Sequence, residues 1–257
     1  MIKFFLIIIL ITLTLTDSIE EYSDPYSECE SNFFASIPPK MYSGNVALCK
    51  NGYAFIAYDV DMKNPALTAY YWKKETLYGG REGFKLDTEL EAMGIAQAPV
   101  DSSCWSQDWN RGHLKPSDGS SYNLTKGGPW DMTYIMSNVA PQAGTFNEGS
   151  WSTLEGNVVN WIQTKNNPLY IITGVAYKDR SNPIRRADNI AQPDYYYKVI
   201  CDPVARQSAG FYACNLPDSC QEDTKIFRTV AEVETLAQLT LFDTLCNKNS
   251  VDESHWW

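Results

Sequence analysis

Three short segments carry the residue types that could act on a phosphate ester. They are Asn110-Arg-Gly-His113, Ser137-Asn138-Val-Ala-Pro-Gln142 and Asn147-Glu-Gly-Ser-Trp-Ser-Thr-Leu-Glu155. A histidine held by a glycine-containing turn could deprotonate an attacking water, and an arginine could neutralise charge that develops on the phosphate. A carboxamide oxygen is a hard ligand suited to magnesium, an ion that keeps several waters. The residue types therefore favour a hydrated cation beside a phosphate.

A helix is expected to position the third segment. Apolar residues at i, i+3, i+7 and i+10 over 151–162 predict a helix that begins near Asn147. Eight residues further on, Glu155 would lie within roughly 80° of Asn147 and about 12 Å along the axis. Taken singly, each residue also has an ordinary structural explanation. Arg-Gly-His and Asn138 could belong to turns, Asn147 could be a helix N-cap, and Glu155 could lie on a solvated helix face.

The remaining pattern predicts one mixed α/β domain. Two aromatic runs, 53–58 and 66–72, are expected to form a hairpin across Asp61–Pro65. Further predicted strands cover 168–177, 194–200 and 210–214. Predicted helices cover a short stretch at 88–93, within the loop-like 75–110, and the amphipathic run 230–245. Residues 254–257 are interpreted as a tail.

The three segments together resemble the DNA/RNA non-specific endonuclease family, the endonuclease G-like ββα-metal (His-Me finger) nucleases. The family signature is Asp-Arg-Gly-His, then Ser-Asn-x-x-Pro-Gln, then Asn-x-x-x-Trp-x-x-Leu-Glu, and this chain departs from it at Asn110 alone. Two flanking segments, Arg81–Asp87 and Gln192–Val199, are also similar, so the resemblance covers roughly residues 45–245. It implies an α+β fold with a central antiparallel sheet, flanking helices and the ββα-metal nuclease motif.

The resemblance implies a role for each matching residue. His113 corresponds to the general base that activates water, and Asn138 to a residue that supports this base. Asn147 corresponds to the direct protein ligand of a magnesium ion, and Glu155 to a carboxylate that holds waters of that ion. The implied cofactor is Mg²⁺, with Mn²⁺ as an alternative. The implied substrates are DNA and RNA, cleaved without marked sequence specificity to give 5′-phosphate ends, because the family contacts backbone rather than base edges.

Two arginines, Arg111 and Arg81, match family positions that bind phosphate and its developing negative charge. Asn110 keeps the hydrogen-bonding capacity of the family aspartate but lacks its charge, and we expect a modest loss of support for the histidine segment. This departure motivates a second hypothesis, a catalytically weak nucleic-acid-binding protein on the same fold. A third hypothesis is an unrelated structural domain, for which His113 and Asn147 would lie far apart.

The amino terminus predicts a targeting segment. Met1-Ile-Lys3 is cationic, and residues 4–15 are almost wholly apolar but too short to span a bilayer. We interpret residues 1–16 as a signal peptide, with a retained membrane anchor as the alternative. An extended acidic arm over 17–44 and the endonuclease domain over 45–257 are expected to follow. The predicted location is extracellular, or the lumen of the secretory or lysosomal pathway, without stable membrane association.

Cysteine usage agrees with an oxidising compartment. The seven cysteines are Cys29, Cys49, Cys104, Cys201, Cys214, Cys220 and Cys246, and none forms a CxxC pair. The odd number leaves at least one thiol free or intermolecular. Cys201 and Cys214 flank a predicted hairpin and are the predicted pair. Asn123-Leu-Thr is a glycosylation sequon.

Charge is distributed unevenly along the chain. The net charge is -10, but residues 17–30 hold six acids and no bases. Residues 31–218 contain 17 bases and 18 acids, so the central part is close to neutral. The acidity therefore does not exclude a nucleic-acid substrate; it predicts weak bulk attraction with local phosphate contacts. The two histidines, His113 and His255, disfavour a multi-histidine zinc site.

Overall fold

The computed structural model describes residues 26–33, 36–50, 52–74, 83–105, 108–117, 131–216, 227–242 and 246–256. The strands are β1 (Asn45–Cys49), β2 (Phe55–Asp59), β3 (Asn64–Trp72), β4 (Trp109–His113), β5 (Val139–Ala143), β6 (Leu169–Ala176), β7 (Tyr195–Asp202) and β8 (Gln207–Cys214). The helices are α1 (Thr88–Ala92), the single turn α2 (Gly144–Phe146), α3 (Ser152–Lys165) and α4 (Val230–Ala237). A wide, π-type turn, Asn147–Trp151, joins α2 to α3.

A six-stranded sheet forms the centre of the fold. Its strand order is β1-β2-β3-β6-β7-β8, and every neighbouring pair is antiparallel. The β2–β3 hairpin and strands β6, β7 and β8 appear where the sequence predicts them. Strands β4 and β5 form a separate antiparallel hairpin. The predicted α+β class with a central antiparallel sheet is therefore confirmed.

Both faces of the sheet are buried, because neighbouring side chains in each strand point to opposite faces. Leu67, Tyr197 and Val199 belong to a core shared with α4 and the N-terminal segment. Tyr70 and Ile200 belong to a second core shared with α3. This arrangement explains the continuous apolar and aromatic runs in β3, β6 and β7, which a sheet with one solvated face would not need.

The β4–β5 hairpin lies against the α3 side of the sheet. The Tyr196 hydroxyl of β7 donates to the Ala140 carbonyl of β5 at 2.9 Å. The Asn215 side chain forms two bonds to one edge of the same strand, accepting from the Ala143 amide and donating to the Pro141 carbonyl, each at 2.9 Å. The sheet therefore holds a ββα unit, which consists of the β4–β5 hairpin followed by α2, the wide turn and α3.

Three expectations about the chain ends are wrong. Ser27–Asn32 forms a short 3-10 helix rather than an extended arm, and Cys29 within this helix is fully buried in the core. The helix predicted over 230–245 ends at Ala237, because Gln238 adopts a left-handed conformation at φ 54°. The C-terminal segment is packed rather than a tail, since Trp256 is buried and lies 5.2 Å from the Trp161 ring.

The disulfide prediction is also wrong. Cys201 bonds Cys246, and Cys29 bonds Cys49. Cys201 pairs with Ser208 in the β7–β8 ladder, whereas Cys214 lies at the far end of that ladder. Cys214 is itself disulfide-bonded, and Cys104 is a free, buried thiol. Within the part of the chain that the structure describes, no helix has the length and apolar character needed to cross a membrane.

Candidate active site

Strand β4 presents the candidate histidine and arginine on the same face. Positions Trp109, Arg111 and His113 alternate with Asn110 and Gly112 along the strand. The glycine lies in the β4 ladder opposite Ala140 rather than in the turn that the sequence suggested. A methyl group on Gly112 would lie 2.5 Å from Gln142 Cβ and 2.8 Å from the Tyr196 hydroxyl. Close packing of the opposite face therefore explains the glycine between arginine and histidine.

His113 has an aromatic and largely dry environment. Its ring lies 5.1 Å from the Phe84 ring and 5.0 Å, edge to face, from the Tyr134 ring. Part of the residue remains accessible, but Nε2 is buried and has no hydrogen-bond partner among the described residues. Burial lowers the pKa of His113 to about 4. The imidazole is therefore neutral at pH 7, and one ring nitrogen can accept a proton.

Arg111 lies between two aromatic rings beside the histidine. Its guanidinium carbon is 5.1 Å from the Phe84 ring centroid and 5.7 Å from that of Trp105. Nη2 donates to the Val100 carbonyl, and Nε is buried without a partner among the described residues. Burial lowers the pKa of Arg111, but arginine stays charged at any physiological pH. The two rings hold a guanidinium whose Nε is a donor without a partner among the described residues.

Asn138 supports the chain directly after His113. Its side-chain oxygen accepts from the Lys115 amide, and its side-chain nitrogen donates to the Lys115 carbonyl, both at 2.9 Å. The same nitrogen donates to the Thr133 carbonyl at 2.9 Å, and Thr68 of β3 donates to the oxygen at 3.3 Å. The fully buried amide thus fixes residue 115 to the sheet. The contact of Asn138 with the histidine segment is therefore made through the backbone two residues after His113.

Asp87, in a segment that resembles the family, holds the Asn138 region in place. It caps α1, accepts the Ser137 hydroxyl and pairs with buried Lys50, whose Nζ lies 2.7 Å from Oδ2. The pair links the end of β1 to the short 3-10 turn Met136–Asn138. A carboxylate with a cation and two further hydrogen bonds is well compensated for its burial.

Asn147 lies inside a helical run and is not an N-cap. Its φ and ψ are −60° and −48°, and the run begins three residues earlier, after Ala143. The wide turn that follows contains Gly149 at φ −100° and ψ −110°, so the ideal spacing expected between Asn147 and Glu155 does not apply. Asn147 is half-buried.

The neighbour of Asn147 is tied to β4. Asn110 Nδ2 donates to Glu148 Oε1 at 2.9 Å. Asn110 is half-buried and Glu148 exposed, so the bond lies at the surface of the hairpin. This contact places the wide turn beside the strand that carries Arg111 and His113. It also means that an aspartate at position 110 would face a second carboxylate.

Glu155 lies in the first turn of α3 and approaches the sheet. Its Oε1 is 3.7 Å from Lys198 Nζ, and its side chain is 21% exposed. Lys198 is buried in β7 and contacts Tyr70, whose ring also lies 4.4 Å from Lys115 Nζ. Tyr70 therefore connects the surroundings of Glu155 with the segment that follows His113.

The donor set fits a mostly hydrated divalent cation. Among the residues that the structure describes, no three His, Cys, Asp or Glu side chains come together as a metal cluster. One carboxamide from Asn147, with water as the remaining ligands, suits magnesium, whereas structural zinc needs four nitrogen or sulfur ligands. Two other predicted positions, Arg81 and the sequon residue Asn123, lie outside the described residues.

Sequence reasoning assigned no role to Lys198, Thr173 or Tyr70. Lys198 is the one cation in β7 and is fully buried there, and a charge inside a buried strand is the signal that could have identified it. The three lie on the α3 face of the sheet.

Comparison with known proteins agrees with this geometry. A solved structure of the EndoG/EndoGI complex matches 90% of this chain and 96% of its own at a TM-score of 0.62 and 20% identity, which supports the fold. A nuclease of Serratia marcescens is 27% identical over 79% of this chain and 77% of its own length. A nuclease of Syncephalastrum racemosum is 26% identical over 67% of this chain, which spans 58% of that protein. Residues 33–249 match the family described as DNA/RNA non-specific endonuclease. The chain therefore belongs to the DNA/RNA non-specific endonuclease family.

Proposed function

We propose that this protein is a secreted, metal-dependent endonuclease that hydrolyses phosphodiester bonds of DNA and RNA. The observation that carries the proposal is the neutral, buried imidazole of His113 on the same strand face as a stacked arginine. A general base must be unprotonated at the working pH, and a depressed pKa ensures this. Family membership and the nuclease relatives support the same chemistry.

His113 would take the proton of the attacking water at a ring nitrogen. Its ring orientation is restricted by Phe84 and Tyr134, and its backbone by the bonds from Asn138 to residue 115. Because the base is held on a strand rather than on a mobile loop, little reorganisation is needed at the moment of reaction.

Arg111 would contact the phosphate as its negative charge increases. The guanidinium is anchored at one nitrogen by the Val100 carbonyl and retains further donors. Arg81 is proposed as a second phosphate contact on the resemblance alone.

A magnesium ion would be held directly by Asn147 and through water by Glu155. When bound, the ion supplies positive charge to the phosphate and the leaving 3′ oxygen, consistent with 5′-phosphate products. Manganese is the alternative ion, since it accepts similar oxygen ligands.

The proposed substrate range follows from the kind of contact available. The groups named above would recognise phosphate and a hydrated cation, and neither distinguishes bases or sugars. We further propose that residues 1–16 direct secretion, that Asn123 is a glycosylation site and that the mature protein has no stable membrane association. Disulfides at Cys29–Cys49 and Cys201–Cys246 support an oxidising compartment.

The test is a cleavage assay on supercoiled DNA and on structured RNA with purified protein. Cleavage of both in Mg²⁺, its loss in EDTA and its return on adding Mg²⁺ are expected. Product ends should accept radiolabel from polynucleotide kinase only after phosphatase treatment, as 5′-phosphates do. Binding of nucleic acid without turnover, in saturating Mg²⁺ or Mn²⁺, would contradict the proposal and favour a binding protein on the nuclease fold.

A further inference from the structure

A polar row crosses the sheet beneath α3. Thr68 of β3 pairs with Thr173 of β6, which pairs with Lys198 of β7. All three are almost completely buried, and Lys198 retains 1% side-chain exposure. A lysine in the middle of a sheet covered on both faces is costly unless its charge is compensated.

The contacts of Lys198 point to Glu155. Its Nζ donates to Thr173 Oγ1 at 2.5 Å and to the Tyr70 hydroxyl at 3.4 Å, and it lies 5.1 Å from the Trp151 ring. These groups are neutral, whereas Glu155 Oε1 at 3.7 Å carries a compensating charge. Burial lowers the pKa of Lys198, and the nearby Glu155 carboxylate opposes that shift.

Glu155 lies at the boundary between this dry region and the site. One oxygen faces the ammonium, while the side chain as a whole stays 21% exposed. Lys198 belongs to a central strand with little freedom to move, and Glu155 to the first turn of α3. The sheet can therefore fix the carboxylate of the helix through a single buried cation.

We propose that Lys198 is a positioning residue, which holds the Glu155 carboxylate in the orientation that the candidate metal site requires. The inference rests on the proposed function, because it concerns how Glu155 serves the ion. Removing an outer-shell group that supports a metal site typically changes metal affinity by about 10- to 100-fold, and loss of the Glu155 orientation is expected to approach that range.

The experiment is a double-mutant cycle on Lys198→Met and Glu155→Gln. Calorimetric titration of Mg²⁺ without nucleic acid gives the metal affinity of the wild type and of the three variants, and kcat and KM are measured in parallel. Lys198→Met should weaken Mg²⁺ binding about 10- to 100-fold and lower kcat more than it raises KM. In the Glu155→Gln background the same change should cost less than about twofold, since its partner is already gone.

Controls separate this role from a structural one. Lys248→Met removes a lysine from a pair with Glu234 at 3.0 Å, away from the site, and should leave Mg²⁺ affinity unchanged. Lys198→Gln, which can still donate to Thr173, is measured alongside and should show the same loss, with circular dichroism monitoring the fold. If either single variant unfolds, the Mg²⁺ affinity of the double variant, which lacks both charges, is compared with that of Glu155→Gln.

The outcomes distinguish the two proposals. If the wild type neither binds Mg²⁺ nor cleaves nucleic acid, the proposed function fails. If the wild type does both and the folded Lys198 variants bind Mg²⁺ as tightly as it does, the positioning role is overturned. Equal losses of affinity from Lys198→Met in both Glu155 backgrounds would also overturn it.

Discussion

Replacing Asn110 by aspartate restores the family signature, yet the structure predicts that it lowers activity. The Asn110 amide donates to Glu148 Oε1 at 2.9 Å. In Asn110→Asp the donor is lost and two carboxylates face each other beside Asn147. The family sequence alone would suggest the opposite, a gain of activity.

The magnitude follows from two contributions. Like charges about 3 Å apart repel by about 1.4 kcal/mol in bulk water, and a lost hydrogen bond costs about 1 kcal/mol. The side chains are at the surface and can separate, so about 1–2 kcal/mol is expected to oppose placement of the wide turn. That corresponds to a decrease in kcat/KM of roughly 5- to 30-fold.

The assay is the initial rate of DNA cleavage at fixed Mg²⁺, with Asn249→Asp as an exposed control for added charge. The double variant Asn110→Asp/Glu148→Gln should recover most of the lost rate, because the amide introduced at 148 can donate to the carboxylate at 110. Raising the salt concentration should also reduce the defect of the single variant. An increase in the activity of Asn110→Asp would show that the Asn110–Glu148 contact does not place the wide turn.

Four further results are expected. Because the imidazole must be neutral, the acidic limb of the kcat/KM profile should fall near pH 4, the lowered pKa of His113, and not near 6.5. The same pKa shift makes the unfolded chain bind more protons than the folded chain below pH 6.5. In chemical denaturation, the contribution of His113 should therefore lower the free energy of unfolding by about 3 kcal/mol between pH 6.5 and 4. Gly112→Ala should lower the melting temperature by several degrees through its clash, whereas Gly156→Ala, which meets open space on α3, should leave it equal or higher. Trp256→Ala should cost about 3 kcal/mol in urea unfolding, because it exposes Trp161.

Much of the fold is readable from local pattern. Aromatic and β-branched runs identified β2, β3, β6 and β7, and the period of apolar residues identified α3. The incorrect predictions at the chain ends have local causes that the pattern of apolar residues does not indicate. The helix beginning at Val230 ends early because Gln238 turns left-handed, and His255 is drawn into the fold by Asp202 at 3.1 Å.

The sequence names candidate site residues but does not show the contacts that hold them. The motif named His113, Asn138 and Glu155, but it gave no indication that Asn138 acts on the backbone of Lys115. Nor could it show that Glu155 meets Lys198, because those residues are 43 positions apart and their contact depends on which strand α3 covers. Such links depend on strand order, which local sequence does not specify.

The proposed mechanism depends on His113 as the general base of a metal-dependent nuclease. The most direct measurement is the single-turnover rate of DNA cleavage in saturating Mg²⁺ for His113→Ala against His255→Gln, the chain's other histidine. We predict a loss of about 10²- to 10⁴-fold for His113→Ala with Mg²⁺ affinity retained, and a near wild-type rate for His255→Gln. A wild-type rate for folded His113→Ala would contradict it.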